Sequence, residues 1–223
     1  MKLFKFDYSP YARKVQAVLD LMGAPYEAVE VPYGDRRELV ALTGGYLQVP
    51  VLVDEAGRVI TESRRICEYL LEGDAARRLT PSPFEGPIWA YADFCDSPLE
   101  DVLFRVATPP LVAQKTTPEE RALFVYIKER KFGSGCVERW ATDREGLLAQ
   151  GRKLLEPTAR TLTVQPFLFG SEPTLADAAL YGNFAMLAAA DGNLIGQLGG
   201  VFPAFMGRLE AKCETRSARR IRR

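Results

Sequence analysis

In the first third of the chain the apolar positions switch repeatedly between the two-residue spacing of strands and the three-to-four-residue spacing of helices. A short apolar run over 3–6 predicts a strand. After Pro10, residues Val15, Val18, Leu19 and Met22 fall on one helical face, and Gly23 followed by Pro25 ends that helix. Residues 26–31, YEAVEV, alternate with period two and predict a second strand, and the segment DRRELVAL predicts a short helix closing at Gly44 and Gly45. Two β-branched runs, VPVLVD and RVIT, flank Asp54-Glu55-Ala56-Gly57 and predict a hairpin. Ser63 then opens a helix with Ile66, Tyr69 and Leu70 on one side.

The predicted order is β-α-β, a short helix, then β-β-α, which is an α/β thioredoxin-like order. Residues 74–86 are rich in proline, small and charged residues and read as a linker. Beyond them no strand pattern occurs. Helical periodicity over 88–106, 118–131, 136–162, 175–190 and 202–213, broken by Pro- or Gly-containing stretches, predicts an all-α helical bundle. The expected domains are therefore 1–73 and 87–223, joined by 74–86.

Composition narrows the function by exclusion. The chain has 223 residues, of which 47% are hydrophobic, enough for one or two domains with a sizeable core. Lys plus Arg and Asp plus Glu are 29 each, so the net charge is zero and neither nucleic acid nor an anionic membrane is expected as the main partner. No apolar run approaches the ~18 residues that span a bilayer, and Lys2, Lys5 and Asp7 interrupt the start, so the expectation is a cytoplasmic protein. Four separated cysteines without a CxxC pair read as reduced thiols. There is no histidine, which removes the usual general base, the Ser-His-Asp triad and most zinc sites, and no metal is expected.

Candidate chemistry lies at three chain junctions. Ser9 precedes Pro10, a residue suited to the first helical position because it has no amide hydrogen to leave unpaired. The serine reads as an N-cap worth about 1 kcal/mol. The same geometry also suits a hydroxyl that donates to an anion beside the helix terminus. Val49-Pro50 starts a strand, and Glu62-Ser63 lies between a strand and a helix, an ordinary place for an acidic residue and a cap. Thr174-Leu-Ala-Asp177 fits a capping box, a structural device in which Asp177 reaches back to the Thr174 amide.

Four segments, SPYARKV, QVPVLVD, TESRRICEYL and GSEPTLADAALYG, in this order and spacing resemble the cytosolic glutathione transferase family over nearly the whole chain. The resemblance implies a thioredoxin-like domain that binds glutathione as cosubstrate, followed by a helical domain, in a homodimer. It implies that Ser9 stabilises the glutathione thiolate, with Tyr8 and Tyr11 as rival hydroxyls. Val49, before a cis Pro50, would pair its backbone with the cysteinyl part. Glu62 and Ser63 would take the γ-glutamyl ammonium and carboxylate, and Arg36, or equally Arg37, the glycyl carboxylate. Relatives with cysteine at the position of Ser9 form mixed disulfides; a hydroxyl cannot, which argues against thiol reduction.

The energetics permit a histidine-free mechanism. Half-ionising a thiol of pKa near 8.5 at pH 7 needs about 2 kcal/mol. A hydrogen bond to the charge supplies about 1.5–3 kcal/mol and a helix terminus about 0.3–1 more. The electrophile pocket is expected near Tyr8, Tyr11, Trp89, Tyr91, Phe94 and Phe104, although aromatics there also suit a core. The resulting expectation is conjugation of glutathione to a small electrophile. The alternatives are a non-catalytic binding module and a glutathione-dependent isomerase or dehalogenase. The basic ending RSARRIRR reads as a solvated terminus.

Overall fold

Strand β1 (Lys2–Lys5) lies at the centre of the first layer because its apolar residues are flanked on both sides by other strands. The computed structural model describes residues 1–73 and 78–221, with 216–221 by their backbone only, so the side chains of the basic ending lie outside the described residues. The sheet order is β2-β1-β3-β4, with β2 (Glu27–Glu30), β3 (Val51–Val53) and β4 (Val59–Thr61). Leu3 pairs in parallel with Ala28 and antiparallel with Leu52, and Leu52 pairs antiparallel with Ile60. Helices α1 (Pro10–Met22), α2 (Arg37–Thr43) and α3 (Ser63–Leu70) complete this layer. Gly23 and Gly44 end α1 and α2 in the left-handed region, where glycine carries no steric penalty. Of the expected linker, 74–77 lie outside the described residues, and the next long helix begins at Glu85.

The rest is helical: α4 (Glu85–Phe94), α5 (Glu100–Ala113), α6 (Pro118–Phe132), α7 (Cys136–Thr142), α8 (Arg144–Val164), α9 (Leu175–Ala190), α10 (Leu194–Leu198) and α11 (Val201–Ile221). Two expected continuous helices are divided. The run over 88–106 is interrupted by a π-turn, Cys95–Leu99, at Pro98, which has no amide hydrogen for the helical ladder. The run over 136–162 breaks at Asp143, whose backbone at φ −92°, ψ 23° leaves the helical region; aspartate favours such junctions because its side chain competes with backbone acceptors. Helix α10 is too short to leave a periodic signal. Helix α11 continues beyond 213 through charged residues, which sustain a helix without an apolar stripe.

The π-turn also fastens the two layers. Asn183 Nδ2 donates to the Cys95 carbonyl at 3.0 Å and the Tyr11 hydroxyl to the Asp96 carbonyl at 3.1 Å. Lys14, 2% exposed, makes an ion pair with the Asp96 carboxylate. Helix α9 is apolar nearly all round and buried, and it lies against α1. At their crossing, a Cβ on Gly182 would penetrate the Pro10 carbonyl oxygen and sit 3.0 Å from the Lys14 amide, both backbone atoms that cannot turn aside. Gly→Ala inside a helix ordinarily stabilises by about 1 kcal/mol. Here the sign is expected to reverse: Gly182→Ala should lower unfolding free energy by about 2 kcal/mol, read as a drop in urea midpoint. A midpoint equal to or above wild type would show that the crossing is looser than described.

Candidate active site

A cavity of about 490 Å³ opens between the layers. One wall comes from the first layer: Tyr11 at the start of α1, Tyr46 and Gln48 from the loop after α2, Val49 and Pro50 before β3, and Glu62, Ser63 and Arg64 at the β4–α3 junction. The other wall comes from the π-turn and helices α5 and α6, with Asp96, Glu100, Phe104, Ile127, Lys128, Lys131 and Phe132.

The first-layer wall is built by two unusual backbone positions. The Val49–Pro50 peptide is cis, and Val49 precedes β3, which leaves its backbone outside the sheet ladder. Glu62 sits at φ 69°, ψ 119°, the only positive φ outside glycine among the described residues. Such a conformation costs on the order of 1–3 kcal/mol and persists where the surroundings enforce it, often at ligand sites. The Tyr46 hydroxyl donates to Glu62 Oε1 at 2.9 Å, and burial together with that carboxylate pushes the Tyr46 phenol up. Ser63 opens α3, so the first amides of that helix face the same region.

Ser9, 7% exposed, caps α1: its Oγ accepts from the Ala12 amide at 3.3 Å. It does not itself line the cavity, although Tyr11 two residues later does. Tyr11 commits its hydroxyl hydrogen to the Asp96 carbonyl, and burial pushes its phenol well above the ordinary range. Tyr8 is stacked on Phe6 and tilted against Phe124, lies outside the cavity lining, and its buried hydroxyl has no hydrogen-bond partner among the described residues. Burial raises its phenol likewise.

Arg36 is absent from the cavity wall. Its guanidinium donates to the carbonyls of Tyr33 at 3.3 Å and Leu47 at 2.8 Å and lies over the Phe6 and Tyr33 rings. Arg37 is exposed and paired with Asp35. Trp89 lies beneath the Arg64 guanidinium, 4.1 Å from ring to charge, and Phe94 packs on Tyr91; neither ring lines the cavity, whereas Phe104 does.

Nine lining residues were not anticipated from sequence: Tyr46, Gln48 and Arg64 on the first-layer wall, and Asp96, Glu100, Ile127, Lys128, Lys131 and Phe132 on the helical wall. A usable signal existed for one pair. Lys128 and Lys131 are three residues apart and therefore share a helical face, bracketed by Phe124 and Phe132. Burial pushes the Lys128 ammonium down to about 8 and the Glu100 carboxyl, which lies beside the Tyr11 hydroxyl, up to about 7.

Comparison with known proteins agrees with this architecture. Residues 3–78 match the family model for the glutathione S-transferase N-terminal domain. The probable glutathione S-transferase GSTU6 of Oryza sativa subsp. japonica is 36% identical over 129 residues, covering 56% of this chain and 54% of its own. Glutathione S-transferase U4 of Arabidopsis thaliana is 29% identical over 137 residues, covering 60% and 61%. The chain thus spans between half and two thirds of the length of these two relatives. Among solved structures, the glutathione S-transferase CsGST63524 of Ceriporiopsis subvermispora in complex with glutathione superposes with a TM-score of 0.77 at 19% identity, covering 95% of this chain and 96% of its own, a likeness of fold. No helix among the described residues is long and apolar enough to cross a membrane. Residues 3–78 thus form a glutathione S-transferase N-terminal domain, and the chain as a whole shares the fold of solved glutathione S-transferases.

Proposed function

We propose that the protein is a glutathione-dependent transferase, which binds the tripeptide along the first-layer wall, ionises its thiol with Ser9 and delivers the thiolate to a small electrophile against the helical wall. The observation that carries this reading is the convergence of Val49–Pro50 and Glu62–Ser63, from separate chain junctions, on one wall of a single cavity. In this reading the Val49 backbone meets the cysteinyl part as an added strand edge would. The Glu62 carboxylate takes the γ-glutamyl ammonium, and Ser63 with the α3 amides takes the α-carboxylate. The strained Glu62 backbone fits a residue held for a ligand. A homodimer acting in the cytoplasm belongs to the same proposal and rests on the family likeness.

Among the three hydroxyls, Ser9 suits the thiolate best. Its oxygen already accepts from Ala12, which leaves its hydrogen available to donate. Tyr11 has spent its hydrogen on a carbonyl, and the Tyr8 ring is packed against Phe6 and Phe124. Arg36 would have to leave two carbonyls to reach a glycyl carboxylate, so the tripeptide reading stands on the γ-glutamyl and cysteinyl ends. In the reaction the thiol proton leaves to solvent, the sulfur lone pair forms the carbon–sulfur bond, and the leaving group departs with its electron pair. The protein forms no covalent bond to either substrate.

Calorimetric titration of reduced glutathione at pH 7, in buffers of different ionisation enthalpy, tests this. A bound thiol of pKa near 7 releases about half a proton per site, since only about 3% of the free thiol is ionised at that pH. S-methylglutathione should bind without release. Absence of glutathione binding, or binding without proton release, would overturn the reading.

A further inference from the structure

The helical wall of the cavity is charged as well as apolar. Phe104, Ile127 and Phe132 form an apolar floor, and two ammonium groups from one face of α6 stand over it. Lys128 Nζ lies 5.0 Å from the Phe104 ring centre and 4.5 Å from that of Phe124; Lys131 Nζ lies 4.9 Å from Phe132. Neither ammonium makes a hydrogen bond or ion pair among the described residues.

The other charges of the cavity are engaged. Asp96 is paired with Lys14, and Arg64 with Glu68 and Asp93. Glu62 accepts from Tyr46. Among the described residues Glu100 is the one carboxylate that faces the two lysines, and burial pushes it up to about 7, so near neutrality it offsets less than one of their two charges. Lys128 is partly buried and Lys131 exposed; the two cations share an apolar floor, and the described residues supply them no paired anion.

We propose that the second substrate carries a carboxylate or comparable anionic group, bound by Lys128 and Lys131, with its apolar body on Phe104, Ile127 and Phe132. The inference rests on the proposed transferase reading only in calling this ligand an electrophile; the anion site itself is independent of it. A charge-assisted hydrogen bond to a lysine, at about 1.5–3 kcal/mol, gives a preference of tenfold or more over a neutral analogue of the same shape.

The test compares 3,5-dinitrobenzoate with 3,5-dinitrobenzamide, by calorimetry on the full chain saturated with S-methylglutathione. The benzoate is expected to bind at least tenfold tighter. In Lys128→Met and in Lys131→Met the difference should fall towards twofold, while Lys153→Met, an exposed lysine on α8, keeps it. Urea midpoints establish that each variant is folded, and either lysine variant suffices for the comparison. Equal binding of the two compounds by wild type, or a preference that survives in both α6 variants, would overturn the inference. If S-methylglutathione fails to bind, the same pair is titrated into the free protein: a lysine-dependent benzoate preference would then uphold the anion site while the transferase reading falls. S-methylglutathione binding without a benzoate preference has the opposite meaning.

Discussion

Ser9→Ala is expected to lower kcat/KM for glutathione conjugation about 10- to 100-fold at pH 7. The lost interaction is a hydrogen bond to a developing charge, worth about 1.5–3 kcal/mol, and each 1.4 kcal/mol is tenfold in rate. The same substitution removes the acceptor of the Ala12 amide and should cost about 1 kcal/mol of stability as a lost cap. The two effects separate by pH. In the wild type the bound thiol should ionise near 7; without the serine it should ionise near the free value of about 8.5. The kcat/KM profile of Ser9→Ala is therefore expected to shift to higher pH, and its deficit to shrink above about pH 9, where the thiol ionises unaided. A stability loss of that size with an unchanged pH profile would make Ser9 a cap and nothing more.

The two layers were not equally legible in the sequence. The first declares itself through local chemistry: Pro10 at a helix start, Gly23 and Gly44 in left-handed caps, and a hairpin turn between β3 and β4 each fix the chain within a few residues. The cis Val49–Pro50 peptide followed only from the family resemblance, because isolated X-Pro bonds are seldom cis. In the helical layer, the identity of the elements was clear and their interruptions were not. Pro98 reads as one tolerated proline among several, and nothing local distinguishes it from Pro109 and Pro110, which lie inside α5 without breaking it.

The cavity was half visible for a related reason. Its first-layer wall is made by residues at chain junctions, which carry local signatures. Its helical wall is made by whichever face of α5 and α6 the packing presents, and hydrophobicity is a poor guide to that face. Trp89 and Phe94 have the apolar character expected of a pocket, yet they are used under Arg64 and against Tyr91. Lys128, Lys131 and Glu100 look like solvent-facing charges in sequence and become cavity groups only when α6 is laid against α5. Helix α1 connects the two walls physically: Tyr11 and Lys14 are bound to the π-turn, and Gly182 admits the Pro10 carbonyl. The position of Ser9 is thereby tied to the packing of the helical layer.

That dependence makes Asp177→Ala the largest expected effect on stability. Asp177 is 0% exposed and accepts three hydrogen bonds: from the Leu168 amide at 2.8 Å, the Thr174 amide at 2.8 Å and the Thr174 hydroxyl at 2.9 Å. It thus closes the capping box of α9 and joins that helix to the loop after α8. Alanine leaves three buried donors without acceptors, at about 1–3 kcal/mol each, so a loss of about 3–5 kcal/mol in unfolding free energy is expected by urea denaturation. Against a total of about 5–15 kcal/mol, this is enough to leave the variant partly unfolded at physiological temperature. Asp177→Asn keeps the shape and one good acceptor and should fall between the two. The pH dependence has a definite sign. Burial pushes the Asp177 carboxyl up to about 6, against about 3.9 in the unfolded chain, so between those values the folded state binds more protons and the contribution of this group to stability rises as pH falls. The advantage of wild type over the non-titrating Asp177→Asn should accordingly widen from pH 7 to pH 4. A gap that narrows over that range would mean that the three donors outweigh burial and hold the carboxylate ionised, and a loss near 1 kcal/mol in Asp177→Ala would mean that water replaces it.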